Sequence, residues 1–322
     1  MPQQRRSLLP NCSARSLTCM DRPLVIGTRP GILAQAQAEL VVQAIKQRWP
    51  LTECQICTIT TSGDIDQRTA LWALRARPDQ QGFFTSQLER ALAAGQIDCA
   101  VHSLKDLPTR QADGLVIAAI LDRLYPEDCL VCNLAIAGLE DLPAGSRIGT
   151  SSLRRAVQAT SIRPDLQVVP LRGNVQTRLA KLDAGLTDAI LLARAGLERI
   201  GLAKRIAAIL EPRHFIPAPG QGALAVQVRA ADKEVLELTS ALDQPEVRVL
   251  VEAERQVLVA TGCGCHAPLG AFAEVVSGQV RIHGFMADPQ GTRVIRSQIA
   301  GMLEDASSLA SQLANRLLEG LA

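Results

Sequence analysis

Aromatic side chains are scarce in this chain: two Trp, one Tyr and five Phe among 322 residues. So few rings exclude a nucleic-acid surface built on base stacking, and a net charge of only +2 excludes the strongly basic field that accompanies one. Lysine is scarcer still, five residues against 29 arginines. No apolar run approaches the ~20 residues that span a bilayer, which excludes a helical integral membrane protein. The opening stretch MPQQRRSLLPNCSARSLTCMDR has no acid before Asp21 and no helical stripe. Residues 1–22 therefore read as a disordered extension, with an organellar targeting peptide as the alternative.

Nine cysteines, an odd number with no signal peptide ahead of them, point to reduced thiols in the cytoplasm rather than a disulfide framework. Two CxxC pairs, CQIC at 54–57 and CLVC at 129–132, have the spacing of zinc ligands. Both lie in strand-like runs, however, where residues three apart face opposite sides, so neither pair is expected to chelate.

The remaining composition is that of a globular protein, 47% hydrophobic and 20% charged. The length suits two to three domains at roughly 150 residues each. Folded pattern begins at Leu24, and strands then alternate with helices, which predicts an α/β fold. The run LVIGT (24–28) reads as a buried strand, followed by a helix with Leu33, Ala36, Leu40, Val41, Ala44 and Ile45 on one face until Trp49-Pro50 stops it. The same alternation predicts strands at 98–103, 147–150, 167–171 and 188–193, with helices between them. Strands near 271–275, 279–284 and 293–299 precede a last helix, for which Asp305 is the expected N-cap. Candidate linkers are YPED (125–128), PRHFIPAPGQG (212–222) and LDQPE (242–246).

Three basic clusters share one context, a strand end followed by a turn and a helix start: GTRPG (27–31), TSSLRR (150–155) and LRGNVQTR (171–178). A helix N-terminus presents unpaired N–H groups and the positive end of the macrodipole, and Arg beside it completes a carboxylate or phosphate site. Open α/β sheets bind ligands at such strand ends. Arg29, Arg154, Arg155, Arg172 and Arg178 all meet this description, which predicts a cleft for a polyanion. Asp106 in VHSLKDLP occupies a fourth strand end beside Lys105. A carboxylate opposes anion binding, so its use there would be to stabilise a cation or to pass protons to a leaving group. The Gly-rich loop TGCGCHAPLG (261–270) carries two thiols one residue apart, a candidate nucleophile or attachment point beside His266.

In this order, IGTRPGILA, TTSGD, GFFTSQLE, CAVHSLKDLP, GTSSLRRAVQ, LRGNVQTRLAKLDAG, IPAPGQGALAVQVR and GCGCHAPLG resemble the porphobilinogen deaminase family of tetrapyrrole and heme biosynthesis, from about Leu24 to the C-terminus. The resemblance implies three α/β domains: two like type II periplasmic binding proteins with a cleft between them, and a small α+β domain carrying the cofactor on a loop. The expected boundaries are 23–124 with 221–241, 125–220, and 242–322. It implies a covalent dipyrromethane cofactor on a loop cysteine, and aligning Pro268 and Gly270 puts that cysteine at Cys265, with Cys263 on a position usually taken by Gly. It implies a transferase that condenses four porphobilinogen molecules with loss of ammonia, by way of a cationic azafulvene, and then releases hydroxymethylbilane by hydrolysis. Asp106 matches the catalytic aspartate. Substrate- and cofactor-binding positions match at Arg29, Asp64, Lys105, Thr150, Ser151, Ser152, Arg154, Arg155, Arg172, Gly173, Asn174, Arg178, Arg199 and Gln221. Gly31, Ile32, Ser62, Gln81 and Ser86 depart from residues common in the family. No metal, nucleic acid or membrane is implied, and a monomer is expected. The rival expectations are a non-catalytic anion-binding protein of the periplasmic type, a zinc or thiol-redox protein, and a deaminase-like chain without activity.

Overall fold

The computed structural model of the chain describes residues 22–60, 86–263, 267–288 and 290–322. The first run of elements is β1 (Leu24–Thr28), α1 (Ile32–Arg48), β2 (Cys54–Thr58), α2 (Ser86–Ala93), β3 (Cys99–Ser103), a single 3-10 turn at Leu104–Asp106, and β4 (Leu115–Leu121). The second is β5 (Asp128–Cys132), β6 (Arg147–Gly149), α3 (Leu153–Ile162), β7 (Gln167–Val169), α4 (Val175–Asp183), β8 (Ala189–Ala193), the short α5 (Arg194–Glu198) and β9 (Ala208–Leu210). The third is β10 (Leu224–Arg229), α6 (Lys233–Ser240), α7 (Pro245–Ala260), β11 (Leu269–Val276), β12 (Gln279–Ala287), β13 (Val294–Gly301) and α8 (Ala306–Leu321).

These strands make three sheets, ordered β2-β1-β3-β10-β4, β7-β6-β8-β5-β9 and β11-β12-β13. The first two share a plan. Three parallel strands, β2-β1-β3 or β7-β6-β8, lie beside one antiparallel strand, β10 or β5. The α/β expectation holds, with those antiparallel members added. The third sheet is an antiparallel meander. Its Ala271, Ala273, Val280, Ile282 and Met286 pack with Ala253 and Val257 of α7 and with Leu313 and Leu317 of α8 in one buried core. Asp305 stands at the N-cap of α8 as expected, but its side chain makes no capping hydrogen bond.

Each CxxC pair straddles its strand. Cys54 joins the hydrophobic cluster on one face of the first sheet and Cys57 the cluster on the other, and Cys132 and Cys129 divide in the same way across the second. Neither pair can therefore close on one ion.

Because β10 returns to the first sheet, the chain passes between the first two sheets twice, at 122–127 and at 211–223. Gly222 lies in the left-handed region at φ +93°, and a Cβ there would come within 2.6 Å of the Leu124 carbonyl, so the second crossover lies flat on the first. Glu254 of α7 joins three parts of the molecule. It is fully buried, pairs with Arg123, and accepts from the backbone N–H of Gly220 at 2.7 Å and of Ala273 at 2.8 Å. Burial pushes its carboxyl up, against the pull of Arg123 and the two N–H groups. Removing one partner of such a pair leaves a buried charge uncompensated. Glu254→Ala should therefore cost about 3–5 kcal/mol of stability, read as a fall in Tm, and an unchanged Tm would remove Glu254 from this role.

Candidate active site

The 3-10 turn after β3 carries Lys105 and Asp106. Its backbone is tied to the second crossover by the Leu104 N–H, which donates to the Ala223 carbonyl at 3.0 Å. From below, the buried Arg255 of α7 donates to the carbonyls of Leu104, Leu107 and Pro108 at 3.2, 3.0 and 2.7 Å. Three carbonyls converging on one guanidinium fix the turn, while the Asp106 side chain is exposed. Lys105 is half-buried, and its Nζ donates to Gln221 Oε1 at 3.0 Å.

The second sheet supplies a facing set of cations. Ser152 caps α3 by accepting from the Arg155 N–H, and the first turn of that helix buries Arg154 and Arg155 against Asp128, the first residue of β5. Arg154 Nη1 donates to Asp128 Oδ2 at 2.7 Å and to the Ile216 carbonyl at 2.7 Å. Arg155 Nε donates to Asp128 Oδ1 at 2.9 Å, and its Nη1 to the Leu191 carbonyl at 3.2 Å. Gln221 Nε2 donates to the same Oδ1 at 3.0 Å and to the Pro126 carbonyl at 2.8 Å. At the next strand end, Gly173 adopts φ +115°, Asn174 caps α4 by accepting from the Thr177 N–H, and Arg178 Nε donates to the Gly173 carbonyl at 2.8 Å.

The charges act on one another. Burial lowers Lys105 to about 8, with Arg155 and Arg154 pushing it down and Asp106 and Asp128 opposing them. Burial also lowers Arg178 to about 10, helped by Arg155 and Arg172 and again opposed by Asp106. Burial pushes the Asp128 carboxyl up, but Arg154 and Arg155 outweigh it and hold the group well below the usual carboxylate range. Lys105, Asp106, Arg154, Arg155, Arg172, Arg178 and Gln221 thus form one electrostatic group, rich in positive charge around a single exposed carboxylate.

Other expected positions fall differently. Arg199 Nη2 donates to the Asp122 carbonyl, to Asp122 Oδ2 and to the Gly222 carbonyl, so it clamps the two crossovers together. Arg154 is buried, and its Nη1 donates to Asp128 Oδ2 and to the Ile216 carbonyl. The Thr150 and Ser152 hydroxyls accept from backbone N–H groups of the α3 cap, and only the Ser151 hydroxyl of the three is buried without a partner. Arg29 follows β1 half-buried, and its charge adds to the burial that lowers His102 to about 4. Asp64 and Cys265 lie outside the described residues, as do Ser62 and Gln81. Cys263 is half-buried and packs against the core of the third sheet.

The linker expected at 125–128 ends on Asp128, which instead opens β5, and sequence reasoning does not single out Glu254 or Arg255 at all. The available signal is an acid opening the apolar run DCLVC: a carboxylate entering a buried strand needs a cation.

A family model described as the dipyromethane cofactor binding domain of porphobilinogen deaminase matches residues 24–237, and one described as its C-terminal domain matches residues 249–319. The porphobilinogen deaminase of Desulforudis audaxviator is 44% identical over 300 residues, 93% of this chain and 96% of that protein. That of Thermus thermophilus is 45% identical over 299 residues, 92% of this chain and 96% of that protein. Among solved structures, the periplasmic VFT2 domain of Bordetella pertussis BvgS aligns with 68% of this chain and 86% of its own at 14% identity, with a TM-score of 0.39. Family membership rests on the sequence matches, which run through both walls of the site and the third sheet: the chain belongs to the porphobilinogen deaminase family.

Proposed function

We propose that the chain condenses four porphobilinogen molecules head to tail, with loss of one ammonia for each, onto a dipyrromethane held by a thioether to Cys265, and then releases linear hydroxymethylbilane by hydrolysis. The observation that carries this reading is the exposed Asp106 carboxylate among cations that burial and mutual repulsion hold down. Each porphobilinogen brings an acetate and a propionate, so substrate and product suit a cationic wall. A site for anions alone has no use for Asp106.

The described residues fit a carboxylate-bearing cofactor: Lys105, Arg155, Arg172 and Arg178 supply positive charge, and the buried Ser151 hydroxyl lacks a partner. When bound, dipyrromethane would supply the free pyrrole α-carbon that accepts the first ring, each later ring being added to the one before it. Asp106 would give a proton to the departing amine, hold its negative charge near the cation left behind, and take up the proton lost from the pyrrole. Thr150, Ser152, Gly173 and Asn174 would shape the two helix N-termini that meet the carboxylates. Arg29 and Asp64 are proposed contacts from the first sheet, and Arg199 would act through the crossovers. The same reading divides the chain at 23–124 with 221–241, 125–220 and 242–322, and each sheet's strands come from within one division. It takes the protein to be a monomeric cytoplasmic transferase. The six cysteines among the described residues are unpaired.

The decisive experiment is the intact mass of the denatured protein with peptide mapping of its thiols. An excess of one dipyrromethane on Cys265 is expected, and a chain that stays unmodified after incubation with porphobilinogen would overturn the reading. Asp106→Asn should keep the cofactor while turnover falls by about 10²–10⁴-fold; wild-type turnover would exclude the assigned role. Lys105, lowered to about 8, is charged below that pH and neutral above it. The KM for porphobilinogen should therefore rise as pH passes upward through this value, and Lys105→Met should abolish that rise.

A further inference from the structure

Asp128 faces no solvent, yet it bonds to Arg154, Arg155 and Gln221 and, through that amide, is linked to Lys105. Its side chain is wholly buried. Oδ2 accepts from Arg154 at 2.7 Å, and Oδ1 from Arg155 Nε at 2.9 Å and from Gln221 Nε2 at 3.0 Å. The Gln221 amide then presents its oxygen to Lys105 Nζ at 3.0 Å. Arg154 and Arg155 belong to the second sheet's wall, Lys105 to the first, and Gln221 to the crossover between them.

We propose that Asp128 is a positioning residue that holds Arg154 and Arg155 on one wall and, through Gln221, Lys105 on the other, so that both walls are in place before an anionic substrate arrives. The inference rests on the function proposed above for its consequence, though not for its geometry. Without the carboxylate, two adjacent buried guanidinium groups would repel each other, and the amide that orients Lys105 would lose one of its two acceptors, keeping only the Pro126 carbonyl. Preorganised cations bind an anion without the ordering that a free side chain must undergo. Asp128 therefore acts through the groups it holds and never touches the reacting atoms.

The test compares full-length wild type with Asp128→Asn, both produced in cells unable to make porphobilinogen. The first reading is the pH dependence of Lys105 acetylation by acetic anhydride. Lys105 faces Asp106 and Asp128 as anions and Arg154 and Arg155 as cations. Loss of one anion should move its half-labelling point down by about one pH unit, which a purely structural role would not do. The second is the rate at which porphobilinogen adds dipyrromethane mass to the chain, expected to fall by about tenfold or more in the variant.

An unchanged Lys105 titration overturns the proposal, as does wild-type loading by a folded variant. If the wild type acquires no mass, the proposed function fails and the titration alone decides the role of Asp128. If Asp128→Asn does not fold, Gln221→Met keeps the carboxylate with its two arginines and removes the amide, with its bonds to Asp128, Pro126 and Lys105. The same downward shift is then expected, and its absence overturns the proposal.

Discussion

The contact between two chain crossovers constrains everything around the site. Because β10 lies antiparallel between β3 and β4, two segments rather than one join the first sheet to the second. Asp128 begins where the first segment ends, and Gln221 belongs to the other. Their close approach admits no Cβ at Gly222 and holds Asp122 and Tyr125 at φ +53° and +54°. Left-handed conformations at non-glycine residues cost of the order of 1–3 kcal/mol each. Contacts that oppose this are visible at both positions: Arg199 binds the Asp122 carbonyl and carboxylate, and the Arg194 guanidinium lies 4.1 Å from the Tyr125 ring centroid.

Two carboxylates in one cationic group differ in burial and in partners. Asp128 is enclosed with two guanidinium groups and an amide, so its charge is fully used by the protein. Asp106 stands exposed on a turn whose carbonyls are held by Arg255, so its backbone is fixed while its side chain remains available. A buried, multiply bonded carboxylate gains little from a ligand and would lose its partners by moving. An exposed one on a rigid turn can meet a cation with little reorganisation.

Much of this was legible in the sequence because periodicity and strand-end chemistry are local. LVIGT, DCAVHS and DAILLA became strands, and TSSLRR and LRGNVQTR became helix starts beside cations. The CxxC pairs could be judged on strand geometry, and each does face both sides of its sheet. What was not legible is pairing between distant segments. Arg199 shares its local pattern with a ligand-binding arginine, but its partners Asp122 and Gly222 lie 77 and 23 residues away in the chain. Asp128 falls in the expected linker as well as at the head of the apolar run DCLVC, and nothing nearby in sequence reveals that β5 enters a sheet between β8 and β9.

The third sheet takes part through two adjacent residues of α7. Successive helical positions point about 100° apart, so Glu254 and Arg255 reach different targets from one turn. Glu254 holds Gly220 of the second crossover and Arg123 of the first, while Arg255 holds the Asp106 turn. The same helix ends at Ala260, three residues before Cys263, in the loop that carries Cys265. On the proposed function, the helix that fixes the Asp106 turn through Arg255 is thus also the element that leads into the segment carrying Cys265.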